Sequence, residues 1–497
     1  MDHALPPGRV TVTVADERDG VPSPRKVAIG ALLLSAANAC RLALQFLMFP
    51  LLARLLEPAD FGVMALAMPV ALFALTIADG GLGPSLLRDP EVDGPVSATV
   101  GWTAITGGIA MTLLLMVAAV PIAAGLSHAE VAAVLAGLAP IVLLNAICTL
   151  PSVRVLRTGA TWIFALGDIA SAIAGIAVAL YGALNGWAVW SLVAQQLALW
   201  IVKAGLLQAL AGGRFRGRPS RTALVYLMGH GLPLVGANLL TLFAASIDNL
   251  LIGRLLGVAQ LGVYALAYQI VRIPDAVLVS PLLVSFLPAV ARLDDRATAA
   301  HLLDTWRVIF GLVAPLMLGL ALVADQLVAL LLGPRWFGAA DLLRLLAPAA
   351  IAQAMGFVAV LLLLGRGRSG LRFAAAVLNA VLMAGGVLAG TPFGLVGIAT
   401  GVALAACAGS ATCMVVALRE MDLGIGALLR VLWPGLAAVA LMGSGVAATR
   451  ALLPHGLPLL VALGISVGAG AAIYVTALQL LSPGALGAWL ASFRSRS

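Results

Sequence analysis

Fourteen stretches of this 497-residue chain are predominantly apolar over lengths near 20 residues or more. A helix of about 20 such residues crosses a hydrocarbon core of about 30 Å, and it satisfies its own backbone hydrogen bonds while doing so. The stretches, numbered spans 1 to 14, run close to 27–52, 61–83, 99–122, 131–151, 162–182, 187–210, 228–250, 260–284, 308–332, 343–364, 371–389, 394–417, 428–449 and 457–481. Hydrophobic residues make up 62% of the chain and charged residues 10%, whereas soluble domains spend about 25% on charge. A water-facing surface cannot be built from this, so the pattern predicts an all-α, polytopic membrane protein. Residues 1–26 mix acidic and basic residues with Gly and Pro and read as a disordered tail. The apolar run behind them exceeds the roughly 7–15 residues of a signal-peptide core, so it should persist as span 1.

The net charge of +8 has two readings, polyanion binding or membrane topology. With the amino terminus in the cytoplasm, 22 of the 29 basic residues fall in cytoplasmic segments and five outside: Arg54, Arg254, Arg335, Arg344 and Arg450. That bias matches the rule that cytoplasmic loops collect Lys and Arg, and it leaves no call for a nucleic-acid partner. Two basic residues remain inside spans, Arg41 and Arg272. Cys40, Cys148, Cys407 and Cys413 lie in apolar runs without metal-site spacing and read as small buried hydrophobes, and the five histidines are scattered. No metal or cofactor is expected. The GRGRSG sequence at 365–370 follows a long apolar run and carries two arginines, so it reads as a basic loop.

The chain repeats itself at an offset of 200 residues. LLARLLEPADFGVMALAMPV at 51–70 and LIGRLLGVAQLGVYALAYQI at 251–270 agree at ten of twenty positions, and 31–70 agrees with 231–270 at fifteen of forty. Six spans separate the copies, and an even number preserves orientation. A parallel repeat about an axis along the membrane normal is a transporter architecture, with its site between the halves. The expected organisation is a tail at 1–26, a six-helix lobe at 27–211, a basic linker at 212–222, a second lobe at 223–418, two additional helices at 427–482 and a cytoplasmic tail at 483–497.

A charge near mid-membrane costs about 2.5–3.5 kcal/mol on insertion scales and is usually paired or functional. Arg41 lies about 21 Å into span 1 by helix rise. Ser35, Asn38, Arg41 and Gln45 follow one stripe of that helix. Asn238 matches Asn38 at the repeat offset, and Asn238, Thr241 and Asp248 share a face of span 7. Spans 1 and 7 are therefore expected to face each other across an aqueous cleft, with polar packing between helices as the alternative for the asparagines. In span 8, Tyr264, Tyr268, Arg272 and Asp275 are spaced by four, four and three, and Pro274 should kink the helix. Arg272 either closes a local ion pair on Asp275 or stands free beside rings able to stack on sugars. Asp79, Asp168 and Asp325 lie nearer span ends; Asp248 and Asp275 are the candidates for coupling to a proton or sodium gradient.

ARLLEPADFGVMALAMPV at 53–70 and IADGGLGPSLLR at 77–88 resemble the opening of bacterial polysaccharide flippases. LLGPRWFGAADLLRLLAP at 331–348 and DNLLIGRLLGVAQLGVYALAYQIVRIP at 248–274 resemble two further segments of that family. The resemblance implies a V-shaped pair of six-helix lobes in the bacterial inner membrane, both termini cytoplasmic. It also implies an undecaprenyl-pyrophosphate-linked oligosaccharide carried from the inner to the outer leaflet by alternating access, for O-antigen, capsule or exopolysaccharide assembly. Membrane lipid, a polysaccharide polymerase and other assembly proteins are the implied partners. Family analogy places Arg41 and Arg272 on the head group, and the polar stripes add Asn38, Gln45, Asn238, Thr241, Tyr264 and Tyr268 as the expected cleft lining. Two other functions fit parts of the pattern: a cation-coupled multidrug antiporter, or a membrane-embedded polymerase or glycosyltransferase.

Overall fold

The computed structural model describes residues 24–81, 95–212, 219–279, 286–290, 292–454 and 457–482. Residues 1–23 of the tail expected at 1–26, the tail expected at 483–497 and the centre of the linker at 213–218 lie outside the described residues. Every regular element among the described residues is helical. Thirteen stretches are long and apolar enough to cross a membrane, and one of them, Gly370–Glu420, holds two helices joined by a short 3-10 turn. All fourteen spans are thus present, and the chain is a multi-pass membrane protein.

Several boundaries move. Span 1 begins at Pro24, so Arg25 and Lys26 belong to its first turn rather than to a tail. Span 2 is Pro58–Asp79, because Pro58 occupies the first helical turn, where a missing N–H costs nothing, and Glu57 and Asp60 form a capping box. Span 7, Arg221–Leu256, starts at its Ser220 cap. Span 8 stops at Val271 and resumes as a π-turn at Asp275–Val279. Pro274 explains the break, since proline cannot continue the hydrogen-bond ladder. The cysteine reading needs correction: Cys148 and Cys413 are buried, but Cys40 is exposed and Cys407 half-buried. In a membrane an apolar side chain need not face protein.

The two halves pack by one scheme. Span 1 packs on span 5, 5 on 6, 6 on 4 and 4 on 3; correspondingly span 7 packs on span 11, 11 on 12, 12 on 10 and 10 on 9. Small residues permit the closest of these contacts. Gly386 and Gly390 of span 11 meet Gly397 and Gly401 of span 12, where a Cβ on Gly401 would lie 2.0 Å from the Gly386 carbonyl oxygen. Spans 13 and 14 form a hairpin seated on span 9, fastened where Tyr474 Oη donates to Gly311 O at 2.6 Å. Within the first lobe, Lys203 Nζ lies 2.8 Å from Asp168 Oδ1, each side chain 27% exposed. Lys203→Met should destabilise the protein by roughly 1–2 kcal/mol, less than the cost of orphaning a fully buried charge, because water still reaches the carboxylate. A detergent melting curve checks this, and the Asp168→Asn partner substitution should recover part of the loss.

The halves meet through spans 2 and 8. Gly62 and Gly262, equivalent in the repeat, lie at this crossing: a Cβ on Gly62 would fall 1.7 Å from Val258 O, and one on Gly262 would fall 1.7 Å from Pro58 O. Pro58 and Val258 are also equivalent, so the contact is two-fold symmetric down to the backbone atoms. It lies beside the tight turns at Glu57 and Gly257. The membrane face carrying these turns is here the turn face, and the opposite one, where span 6 ends at Ala211 and span 7 begins at Arg221, the linker face.

Candidate functional site

Near the turn face the inner sides of spans 1 and 7 are closed. Ala53 and Ile252 are fully buried there, Trp336 of the second half bonding to the Ala53 carbonyl, while Leu52 and Leu56 pack within their own lobe on spans 5 and 6. Deeper along the same helices the polar residues are accessible: Asn38, Asn238 and Thr241 are exposed, and Arg41 and Gln45 half-buried. Spans 1 and 7 are not among the closely packed helix pairs. Arg41 precedes Glu57 by 16 residues and Arg272 follows Gly257 by 15, so helix rise places both about 22–24 Å below the turn face. The two intramembrane arginines therefore lie at matching depth in opposite lobes, beneath the sealed end.

Their surroundings differ. Arg41 Nη2 donates to Asn38 Oδ1 at 2.8 Å, one helical turn away. Arg272 caps the broken end of span 8, is exposed, and places its guanidinium carbon 5.8 Å from the Tyr268 ring centroid. The break in the helix settles the alternative left open by spacing: among the described residues Arg272 closes no salt bridge on Asp275, and Tyr268 is its neighbour instead. Tyr268 stacks on Tyr264 with centroids 5.7 Å apart. Tyr264 is fully buried and donates its hydroxyl to Asp248 Oδ2 at 2.9 Å. Asp248 is 2% exposed, and its other oxygen accepts the Asn249 N–H at 2.9 Å. Helical phase puts Asp248 and Thr241 on one face of span 7, yet only Thr241 is accessible, because span 8 covers the turn-side part of that face.

The intramembrane acids do not cancel the two arginines. Asp168 is paired with Lys203, and Asp325 with Arg344. Asp248 is enclosed, Asp79 ends span 2, and Asp275 is half-buried in the π-turn. Neither Arg41 nor Arg272 closes a salt bridge among the described residues, although Asp275 and Asp248 lie within electrostatic range of Arg272. The basic loop at 365–370 is spent on structure: Arg366 pairs with Asp295, and Arg368 Nε lies 2.6 Å from Glu420 Oε1. Among the described residues no cluster of His, Cys, Asp and Glu is placed to hold a metal ion.

The sequence model of the polysaccharide biosynthesis protein family matches residues 51–341, more than half of the chain and both halves of the repeat. The chain belongs to this family. Its similarity to the succinoglycan biosynthesis transport protein ExoT of Rhizobium meliloti is 28% identity over 312 residues, 61% of this chain and 62% of that protein. The teichuronic acid biosynthesis protein TuaB of Bacillus subtilis is 24% identical over 70% of this chain and 73% of its own length. The lipopolysaccharide biosynthesis protein WzxC of Escherichia coli is 23% identical over 76% and 77%. The chain thus spans less than two thirds of ExoT and about three quarters of the other two. Among solved structures, the lipid II flippase MurJ in an inward closed conformation superimposes with a TM-score of 0.71 at 12% identity, covering 91% of this chain and 98% of that one. An inward-facing multidrug resistance MATE family transporter gives 0.60 at 15% identity, covering 77% and 94%. These likenesses establish the fold for this member of the polysaccharide biosynthesis family.

Proposed function

We propose that this protein is a flippase, carrying an undecaprenyl-pyrophosphate-linked oligosaccharide from the inner to the outer leaflet of a bacterial inner membrane for surface polysaccharide assembly. The observation that carries the reading is the pair Arg41 and Arg272: accessible, closing no salt bridge among the described residues, at one depth in opposite lobes beneath a closed face. Moving even one bare charge through hydrocarbon costs tens of kcal/mol by the Born argument, and two arginines at that depth offer a diphosphate the counter-charge it would otherwise lack. The relatives' printed roles in succinoglycan, teichuronic acid and lipopolysaccharide biosynthesis point the same way. The basic bias of the loops assigns the turn face to the outside and both termini to the cytoplasm. The cleft then opens inward, toward the leaflet where the substrate is made, and the isoprenoid tail stays in the bilayer. No step makes or breaks a covalent bond, so the protein acts as a carrier and needs no cofactor.

Deleting the protein should strand the lipid-linked oligosaccharide on the cytoplasmic leaflet, read by its inaccessibility to an externally added glycosidase. A full complement of substrate in the outer leaflet of the deletion strain would refute the reading. The multidrug antiporter alternative predicts efflux of an organic cation that Arg41→Ala leaves untouched. A polymerase or glycosyltransferase would lengthen the glycan of purified lipid-linked substrate.

Reset of the empty carrier is assigned to a proton or sodium gradient acting through Asp248, with Asp275 as the second candidate. The Asp248 carboxyl is enclosed with one hydroxyl and one amide as donors, so gaining or losing charge there changes the cost of keeping spans 7 and 8 together. Asp248→Asn keeps the shape and one of the two acceptor oxygens, with the amide NH2 turned toward the Tyr264 hydroxyl, which can accept from it. It should leave the protein in the membrane at normal level while flipping in vesicles loses its response to an imposed gradient. An unaltered response would reassign coupling to Asp275.

A further inference from the structure

The turn face is held by two copies of one device. Arg54, at the end of span 1, donates through Nε to Leu331 O at 3.2 Å and through Nη2 to Leu330 O, the terminal carbonyls of helix Ala324–Leu331, the last part of span 9. Its repeat equivalent Arg254, at the end of span 7, donates to Gly125 O and to Ser127 Oγ at 3.2 Å, at the end of span 3. Each arginine leaves its own lobe and caps carbonyls that helix geometry leaves without intrahelical partners, at the negative end of the helix dipole. A ring nitrogen answers in the opposite direction beside each arginine. Trp336 Nε1 donates to Ala53 O at 2.7 Å, and His128 Nε2 lies 3.0 Å from Gly253 O, which as a carbonyl fixes the proton on Nε2. Ala53 and Gly253 are again equivalent. Three bonds on each side, two from the arginine and one from the ring, are therefore related by the axis that brings Gly62 onto Gly262.

The copies are not equal. Trp336 is fully buried, and its ring meets Phe61 of span 2 edge to face at 5.3 Å, so that half is anchored by an apolar contact between the lobes. The His128 side chain is 20% exposed, with Glu130 at 3.9 Å. We propose that Arg54, Arg254, Trp336 and His128 form a latch that keeps the turn face shut while the cleft is loaded, and that the Arg254–His128 half releases first, the lobes swinging about the Trp336–Phe61 edge. The latch deepens the carrier reading, and the assignment of the turn face to the outside rests on that reading.

The test uses the full-length protein with its four native cysteines replaced and Asn238→Cys as reporter, labelled by a membrane-impermeant maleimide. Intact right-side-out spheroplasts and inverted vesicles are compared, with the amount of membrane-inserted protein measured in each. In spheroplasts Arg254→Gln should raise the labelling rate about tenfold, the shift expected when one charge-assisted tie on a two-state gate is lost. His128→Phe should raise it as well, and Arg54→Gln less than Arg254→Gln. Arg254→Lys, which keeps the charge but not the fork, should fall between wild type and Arg254→Gln. Unchanged labelling from both sides in Arg254→Gln and Arg54→Gln, with normal protein levels, overturns the latch. A larger response to Arg54→Gln overturns the order of release. The same rise confined to inverted vesicles upholds the latch and overturns the orientation instead.

Discussion

Alanine at Arg41 or at Arg272 is expected to lower export of the lipid-linked substrate by about 30-fold or more, since truncating one member of a desolvated charge pair costs about 2–5 kcal/mol and each 1.4 kcal/mol is tenfold. Neither change should reduce the amount of protein in the membrane. Among the described residues Arg41 hydrogen-bonds to Asn38, one turn away on its own helix, and Arg272 caps a helix end that Pro274 already breaks. Lysine at either position should rescue partly, because it restores the charge without the planar fork that grips a diphosphate at two oxygens. The measurement is the fraction of lipid-linked oligosaccharide open to external glycosidase, beside surface polysaccharide yield. Normal export in both alanine variants would remove the arginines from the site. A Tyr268→Leu variant separates binding from positioning: it removes the ring beside Arg272 and should weaken export less than loss of the guanidinium.

Valine at Gly62 or Gly262 is the second change of large expected effect. The side chain would have to occupy space now held by the opposite lobe's backbone, with a Cβ only 1.7 Å from a carbonyl oxygen. Backbone cannot turn aside as a flexible side chain can, so spans 2 and 8 must separate. Overpacking of cores costs typically 1–3 kcal/mol, and an unyielding neighbour puts this case at the upper end, about 3 kcal/mol. The sealed state should be lost, transport should fall to background, and the melting temperature in detergent should drop for both variants alike. Gly205→Ala serves as the control: nothing lies within 4 Å of its added Cβ, and a helix gains from the exchange. Wild-type melting and transport for Gly62→Val would show that the crossing of spans 2 and 8 is looser than its geometry states.

Much of the site could be read along the chain. Arg41 and Arg272 are conspicuous because a charge in an apolar run is expensive, and the 200-residue offset puts them at equal distances from equivalent turns. The break in span 8 is written in Pro274. Other features were open to misreading. Tyr264 shares the spacing of Tyr268 and Arg272, yet it is buried on Asp248, because which tyrosine faces the cleft depends on where span 8 is covered by its neighbours. Asp168 and Asp325 look like candidates for coupling until Lys203 and Arg344, 35 and 19 residues away in sequence, come to rest beside them. His128 carried no signal, and Trp336 stood within the segment singled out at 331–348 without any indication of its acceptor. Arg54 and Arg254 did, as equivalent residues at one kind of turn, but their acceptors did not.

The amino-acid sequence by itself determined that this protein crosses a membrane fourteen times, that its two halves are copies, and that two arginines are set at one depth within them. Each of these follows from local quantities: the apolar length a bilayer demands, the identity of residues at a constant offset, and the cost of a charge in hydrocarbon. Tertiary structure decided which end of the molecule is sealed and which acids are neutralised. It also decided that the seal is one contact made twice. Those outcomes depend on partners far apart in the chain, 277 residues in the case of Arg54 and Leu331. Carbonyls and glycines of this kind look alike everywhere in a sequence and acquire their roles only when the helices pack.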